Sequence, residues 1–406
     1  MIHEKAMQLG RERSRIRELF AWGQQRAAQI GPEKIFDFSL GNPSIPAPEQ
    51  VRQTILELLQ TTDSRRLHGY TPSAGDRAVR QAIAEDLNSR FGCRILPEEL
   101  FLGCGAAPEL TAVFRAMAVP QGEILALAPY FPEYRPFAEQ AGLTFRAVAP
   151  DLPDFGIRIS AVEAMLTPHT QAVIVNSPNN PTGTVYDRQT LQQLGALLTK
   201  KSEEFGHPIY IVSDEPYLEL TYDGVQAPFL PGIYRDTVVC YSYSKSLSLP
   251  GERIGYIYVP RQAADGQALY DAVAGAARAM GHVCAPSLWQ QVIGKCTHLR
   301  PDLRAYDRNR QALYQGLRAA GYELAKPQGA FYLFVKAPGG DAVAFMKRAM
   351  EKDLLLVPGD DFGCPGYFRL CCCVEYGMIL NSLPVFRALI RETGDGTEPT
   401  TGEAQT

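Results

Sequence analysis

Apolar positions in the middle of the chain fall in short runs of four to six residues, at 100–103, 124–128, 172–176, 209–213, 237–241 and 254–259. Between them lie stretches with helical spacing. Val79, Ile83 and Leu87 recur at every fourth position within 75–91, and Leu191, Leu194 and Leu198 mark one face of 187–200. Helices there carry one apolar stripe. Runs that are apolar throughout, alternating with helices, predict a mostly parallel sheet covered on both faces. After about residue 296 the rhythm changes to helix 302–319, strand 330–335, helix 341–352 and strand 367–374, which reads as a smaller α+β unit. At the other end, the segment through residue 29 reads as one amphipathic helix, with Ile16, Leu19, Phe20 and Trp22 interleaved with Arg11, Arg13 and Arg17. The last stretch, 392–406, is rich in Gly, Thr and Glu with almost nothing apolar, a composition that does not order itself. No internal repeat is found.

Length and charge narrow the function classes. A chain of 406 residues exceeds what one core organises, so two domains are expected. With 46% hydrophobic and 21% charged residues and a net charge of -4, it offers no basic surface for nucleic acid or anionic lipid. No apolar stretch reaches the ~18 residues of a membrane span. The nine cysteines are an odd number, lack the paired spacing of metal sites, and include the adjacent Cys371, Cys372 and Cys373. That pattern suits a reducing compartment, and the expectation is a cytoplasmic protein without a metal.

The chemistry-bearing letters follow the apolar runs. Lys245 stands in Tyr241-Ser242-Tyr243-Ser244-Lys245-Ser246, with Arg253 eight residues on. An amine in a partly dry pocket near a guanidinium loses part of its proton and can attack a carbonyl. Ser242, Ser244 and Arg253 suggest a bound phosphate, and a phosphate-bearing aldehyde is pyridoxal 5'-phosphate. Asp214 and Tyr217 leave the run 209–213, where an acid at the carboxyl end of a parallel strand faces the ligand crevice. Asn176-Ser177-Pro178-Asn179-Asn180-Pro181-Thr182-Gly183 reads as a rigid loop able to hold an amide in fixed orientation. Gly103-Cys104-Gly105-Ala106-Ala107 opens a helix whose backbone N–H groups can approach a phosphate. Phe131, in Ala128-Pro129-Tyr130-Phe131-Pro132-Glu133-Tyr134, reads equally as a ring over a cofactor or a plain core residue.

Taken together, these segments resemble the class I aminotransferases. The lysine signature, the Asn-Pro-Thr-Gly loop, Gly69-Tyr70-Thr71-Pro72, Ser39-Leu40-Gly41-Asn42-Pro43 and Phe368-Arg369-Leu370 all match in the family's order, across about four-fifths of the 406 residues. The resemblance implies a fold type I α/β architecture: a large domain with a seven-stranded, mostly parallel sheet and a smaller α+β domain. It places an amino-terminal arm and part of the small domain at 1–46, the large domain at 47–295, the small domain at 296–391 and a tail at 392–406. It implies an enzyme that moves an amino group between an amino acid and a 2-oxo acid, with Lys245 holding pyridoxal 5'-phosphate as an imine. Asp214 then meets the ring nitrogen, and Tyr217 and Asn180 the ring oxygen. Ser242, Ser244, Arg253 and the backbone of Ala106 and Ala107 meet the phosphate, Phe131 stacks, and Tyr70 reaches the phosphate of a neighbouring subunit in a homodimer. Gly41, Asn180 and Arg369 face the substrate, with Arg369 pairing the α-carboxylate through two parallel hydrogen bonds.

The pattern leaves the substrate open. Ala107 stands where one aspartate-using branch carries a lysine, and Arg278 reads either as a partner for a distal carboxylate or as part of a solvated helix face. Ala330, Phe331 and Tyr332 would suit an apolar or an aromatic side chain. A lyase that eliminates at the β-carbon on the same fold shares every anchoring residue. A regulator using the fold as an effector domain needs a basic DNA-binding module first, and about 40 residues before Gly41 are too few.

Overall fold

The computed structural model describes residues 2, 4–11 and 15–392. Arg13 and the expected tail beyond Glu392 lie outside the described residues. The chain divides into two compact units: 43–303 with 328–330, and 1–42 with 304–327 and 331–406. In chain order the described strands are β1 (Phe36–Asp37), β2 (Leu100–Gly103), β3 (Glu123–Leu127), β4 (Thr144–Val148), β5 (Thr170–Asn176), β6 (Tyr210–Asp214), β7 (Thr237–Ser242), β8 (Gly255–Tyr258), β9 (Tyr332–Lys336), β10 (Leu354–Leu355), β11 (Val357–Pro358) and β12 (Tyr367–Cys371).

The larger unit is built on a seven-stranded sheet of order β2-β8-β7-β6-β5-β3-β4. Only β8 runs against its neighbours, pairing antiparallel with β2 and β7. Successive residues of the central strands enter different cores. Ile124, Ala126, Ile174 and Val212 pack on one side with Val113 and Val273, from the helices Ala106–Ala116 and Gly266–Ala279. Leu125, Leu127, Val173, Val175 and Ile211 pack on the other with Leu191, Leu194 and Leu198 of the helix Arg188–Phe205. Burial on both faces explains why these strands read as unbroken apolar runs, each large side chain contributing roughly 1.5–3 kcal/mol. Their boundaries are set by polar chemistry. The Asp187 side chain accepts from Thr190 N at 2.8 Å to open the helix Arg188–Phe205, and Gly206, at φ 76, closes it.

Six of the seven strands coincide with predicted runs. The missing one, β4, lies at the sheet edge and has Thr144 exposed with Arg146 and Ala147 half-buried, so it never forms an apolar run.

The smaller unit holds the antiparallel sheet β11-β12-β9 and the short parallel pair β1-β10. Its helices include Arg15–Ile30, Leu303–Ala320, Ala342–Met350 and Tyr376–Glu392. Of the helix expected at the amino end, Glu4–Arg11 and Arg15–Ile30 are described, and both are helical. The strand expected from residue 330 begins at Tyr332, because Ala330 takes φ 56 and ends the extended conformation. Among the described residues no helix is long and apolar enough to cross a membrane.

Candidate active site

Strand register brings together the segments that lead into several of the predicted residues of the larger unit. Asn176, the last residue of β5, lies opposite Asp214, the last of β6. Asp214 lies opposite Cys240, two residues before the end of β7. Ser242 ends β7 opposite Gly255, which in turn faces Gly103, the last residue of β2. The carboxyl ends of four strands thus share one sheet edge, where ligands bind in parallel sheets.

Asp214 is buried, and its two carboxylate oxygens differ. Tyr134 donates its hydroxyl to Oδ2 at 2.5 Å, whereas Oδ1 is buried with no hydrogen-bond partner. Burial pushes the carboxyl up to about 7, with the Tyr134 hydrogen bond pulling it back down. Asn176 holds the adjoining loop: its Nδ2 donates to the Asp214 carbonyl at 2.8 Å and its Oδ1 accepts from Asn180 N at 2.8 Å. Further along, Asn179 Oδ1 accepts from both the backbone N–H and the hydroxyl of Thr182, at 3.1 and 2.8 Å. Gly183, at φ 72, offers its carbonyl to the N–H groups of Gln328 and Gly329, both at 2.8 Å. The Ser177–Pro178 peptide in this loop is cis. Asn180 and Tyr217 are both buried at the edge so formed.

A polar cradle lies at the next strand end. Ser242 Oγ and Ser244 Oγ are 2.7 Å apart, and Arg253 reaches Ser244 Oγ at 3.5 Å and the Pro250 carbonyl at 3.0 Å through Nη1. Lys245 lies between these groups in the single turn Tyr243–Ser246, half-buried. Facing Arg253 is Gly105, at φ 87, just before the helix Ala106–Ala116. A Cβ on Gly105 would lie 2.9 Å from Arg253 Nη2, so only glycine lets this turn come so close to the guanidinium. No side chain caps that helix, which leaves the N–H groups of its first turn, including Ala106 and Ala107, for an anion.

These features fit pyridoxal 5'-phosphate. The orphaned Asp214 Oδ1 suits a protonated ring nitrogen, and the hydroxyls, guanidinium and uncapped helix start suit a phosphate. Phe131 is half-buried, its ring 5.6 Å from that of Tyr134 in an edge-to-face arrangement. Tyr70 is 88% exposed. Arg278 lies on the exposed face of its helix.

In the smaller unit, Arg369 is buried on β12, with Nη2 donating to the Ser39 carbonyl at 2.6 Å. Its guanidinium carbon stands 4.6 Å from the Tyr332 ring centre and 5.1 Å from that of Phe362, so two aromatic faces hold it. Gly41 sits against the Tyr332 hydroxyl, where a Cβ would collide.

Three residues with a part in this geometry escape the motif reading. Tyr134 and Asn176 lie inside segments singled out there, but their partner Asp214 is 80 and 38 positions away. The third is Glu109, fully buried, its carboxyl held well above the usual range chiefly by desolvation. A Cβ on Gly255 would stand 2.5 Å from its Oε1, and one on Gly103 would collide with it too. Paired strand glycines were the available signal.

Comparison with known proteins agrees with the geometry. The family model for aminotransferase class I and II matches residues 33–379. An aspartate/prephenate aminotransferase of Thermus thermophilus is 31% identical over 340 residues, covering 81% of this chain and 84% of that protein. An aromatic-amino-acid aminotransferase of Thermococcus litoralis is 26% identical, covering 93% and 96%. Among solved structures, an amino transferase from Eubacterium rectale superposes with a TM-score of 0.95 at 50% identity, over 97% of this chain and 99% of that one.

Proposed function

The chain belongs to the class I and II aminotransferases, enzymes that use pyridoxal 5'-phosphate, and we propose that Lys245 is the residue that carries the cofactor here. What supports this most is that Asp214 and Ser242 end the neighbouring strands β6 and β7 at the same end of the sheet, with Lys245 three residues past Ser242. When bound, the cofactor supplies an aldehyde carbon that accepts the amino group and an electron-withdrawing ring that stabilises negative charge at the amino acid Cα.

The protein's residues supply the rest. Asp214, already short of one partner, holds a proton on the ring nitrogen. Tyr217 and Asn180 donate to the ring oxygen, and Ser242, Ser244, Arg253 and the Ala106 and Ala107 N–H groups hold the phosphate. Lys245 Nζ would take the proton from the substrate Cα and return it to the carbon that the cofactor contributes as its aldehyde. Phe131 covers the ring. Arg369 holds the substrate α-carboxylate, with Gly41 leaving room beside Tyr332.

Active homodimers are part of this proposal, because Tyr70 is too exposed to serve its own subunit and is left to reach a neighbour's phosphate. Light scattering that shows an active monomer would contradict it. A reducing, cytoplasmic location is proposed on the cysteine spacing. For substrates, relatives named for aspartate and for aromatic amino acids bracket the choice. A screen of amino donors against 2-oxoglutarate, pyruvate and oxaloacetate tests the function. Transfer that requires a 2-oxo acid supports it, whereas pyruvate and ammonia formed without an acceptor would replace it by elimination.

A further inference from the structure

A second polar network lies behind the Lys245 turn, away from the groups assigned above. Glu219, two residues past Tyr217, has a side chain only 4% exposed, and Arg90 Nη2 donates to its Oε1 at 2.8 Å. Arg90 also reaches Asp86 at 3.3 Å, and Asp86 in turn meets Arg300 at 2.6 Å. The other Glu219 oxygen accepts from the Tyr241 hydroxyl at 3.0 Å, and that hydroxyl lies 2.8 Å from Ser246 Oγ. A carboxylate only accepts, so the single phenolic proton of Tyr241 goes to Glu219 and the Ser246 hydroxyl donates to Tyr241. The direction of every bond in the network follows from that one constraint.

Both ends of the Lys245 turn are held by this arrangement. Its first residue, Tyr243, sets its ring edge-to-face on Tyr241 at 5.0 Å, and Tyr241 stacks on Tyr256 at 4.8 Å. Its last residue, Ser246, is held through the hydroxyl. A phenylalanine at 241 would supply the same rings, so core packing does not account for the hydroxyl. A buried carboxylate is costly to keep unless it is paired and hydrogen-bonded. Glu219 meets both conditions, and the chain of contacts it supports ends on the neighbour of Lys245.

We propose that Tyr241 and Glu219 are positioning residues for Lys245: through Ser246 they fix the rotation of the turn Tyr243–Ser246 and so the aim of the lysine side chain. The proposal rests on the reading of Lys245 as the cofactor-bearing residue. It predicts that the network acts on proton transfer and cofactor orientation, and only secondarily on stability.

The test compares Tyr241→Phe, Ser246→Ala and the double variant as holoenzymes. Both single changes break the Tyr241–Ser246 bond, and Tyr241→Phe removes the Glu219 bond as well, so each should lower kcat about tenfold, leave KM for the amino donor within about twofold, and alter the visible circular dichroism of the bound cofactor. The double variant should be no worse than the poorer single one, because one shared bond cannot be lost twice. A melting temperature that falls while kcat and the dichroism stay at wild-type values assigns the network to stability alone and overturns the proposal, as do single effects that multiply in the double variant. If Tyr241→Phe does not fold, Ser246→Ala decides by the same criteria. Borohydride reduction and peptide mapping of the wild type separate the two levels. A label away from Lys245 overturns the cofactor reading and this proposal with it, whereas a label on Lys245 with unchanged kcat and dichroism in the variants overturns only the positioning role.

Discussion

Asp214 shows how far one residue's surroundings set its chemistry. Its carboxyl rises from the ordinary 3.8 to about 7 because it is buried, and neighbouring Glu215, whose Oε1 accepts from Ser213 Oγ at 2.6 Å, rises from 4.5 to about 8 for the same reason. Both folded values lie above the unfolded ones, so the folded chain keeps protons that the unfolded chain has lost. The resulting stability is full below about pH 4 and disappears as pH rises through about 7 to 8. The cofactor-free protein should therefore melt at a lower temperature at about pH 8 than at about pH 5, and Asp214→Asn should flatten that fall. A melting temperature that rises over this interval, or an unchanged slope in the variant, would contradict the account. In the holoenzyme the same variant removes the group that holds the ring proton, and kcat should drop by roughly 100-fold or more in steady-state assays.

At the scale of elements, the sheet and much of the candidate site were legible for one reason: in this topology the candidate residues follow the ends of strands. Asp214, Asn180 and Lys245 each follow an apolar run closely, so the run located the strand and the next letters supplied the candidates. Edge strand β4 was not legible, because partial exposure dilutes its pattern. Long-range pairs were not legible either. Nothing near Tyr134 announces Asp214, and nothing near Glu219 announces Tyr241 or Arg90. Only the folded chain, which sets helices and loops beside the strand ends, brings such residues together. The close approach of the Gly105 turn to Arg253 gives a prediction at this scale. Gly105→Ala adds a Cβ 2.9 Å from Nη2 at a positive φ, so the turn or the guanidinium must shift and their close approach is lost. Fluorescence titration should show pyridoxal 5'-phosphate bound at least about tenfold more weakly, and inorganic phosphate weakened in proportion. Affinities for both ligands unchanged from the wild type would remove the turn from the phosphate site.

For the whole molecule, Gly41 and Arg369 lie toward the two ends of the chain, and both belong to the smaller unit, which comprises 1–42, 304–327 and 331–406. Arg369 is held there by Ser39, Tyr332 and Phe362, a setting that its flanking letters Phe368 and Leu370 only hint at. Everything proposed for the protein, from the ring proton at Asp214 to the positioning network behind Ser246, depends on Lys245 being the residue to which the cofactor is joined. The most direct measurement is borohydride reduction of the holoenzyme followed by digestion and mass spectrometry. The account predicts one pyridoxyl group per chain, on Lys245, and none in Lys245→Ala. A pyridoxyl group on any other lysine of the wild type, or a Lys245→Ala protein that still binds the cofactor covalently and turns over at the wild-type rate, would contradict it.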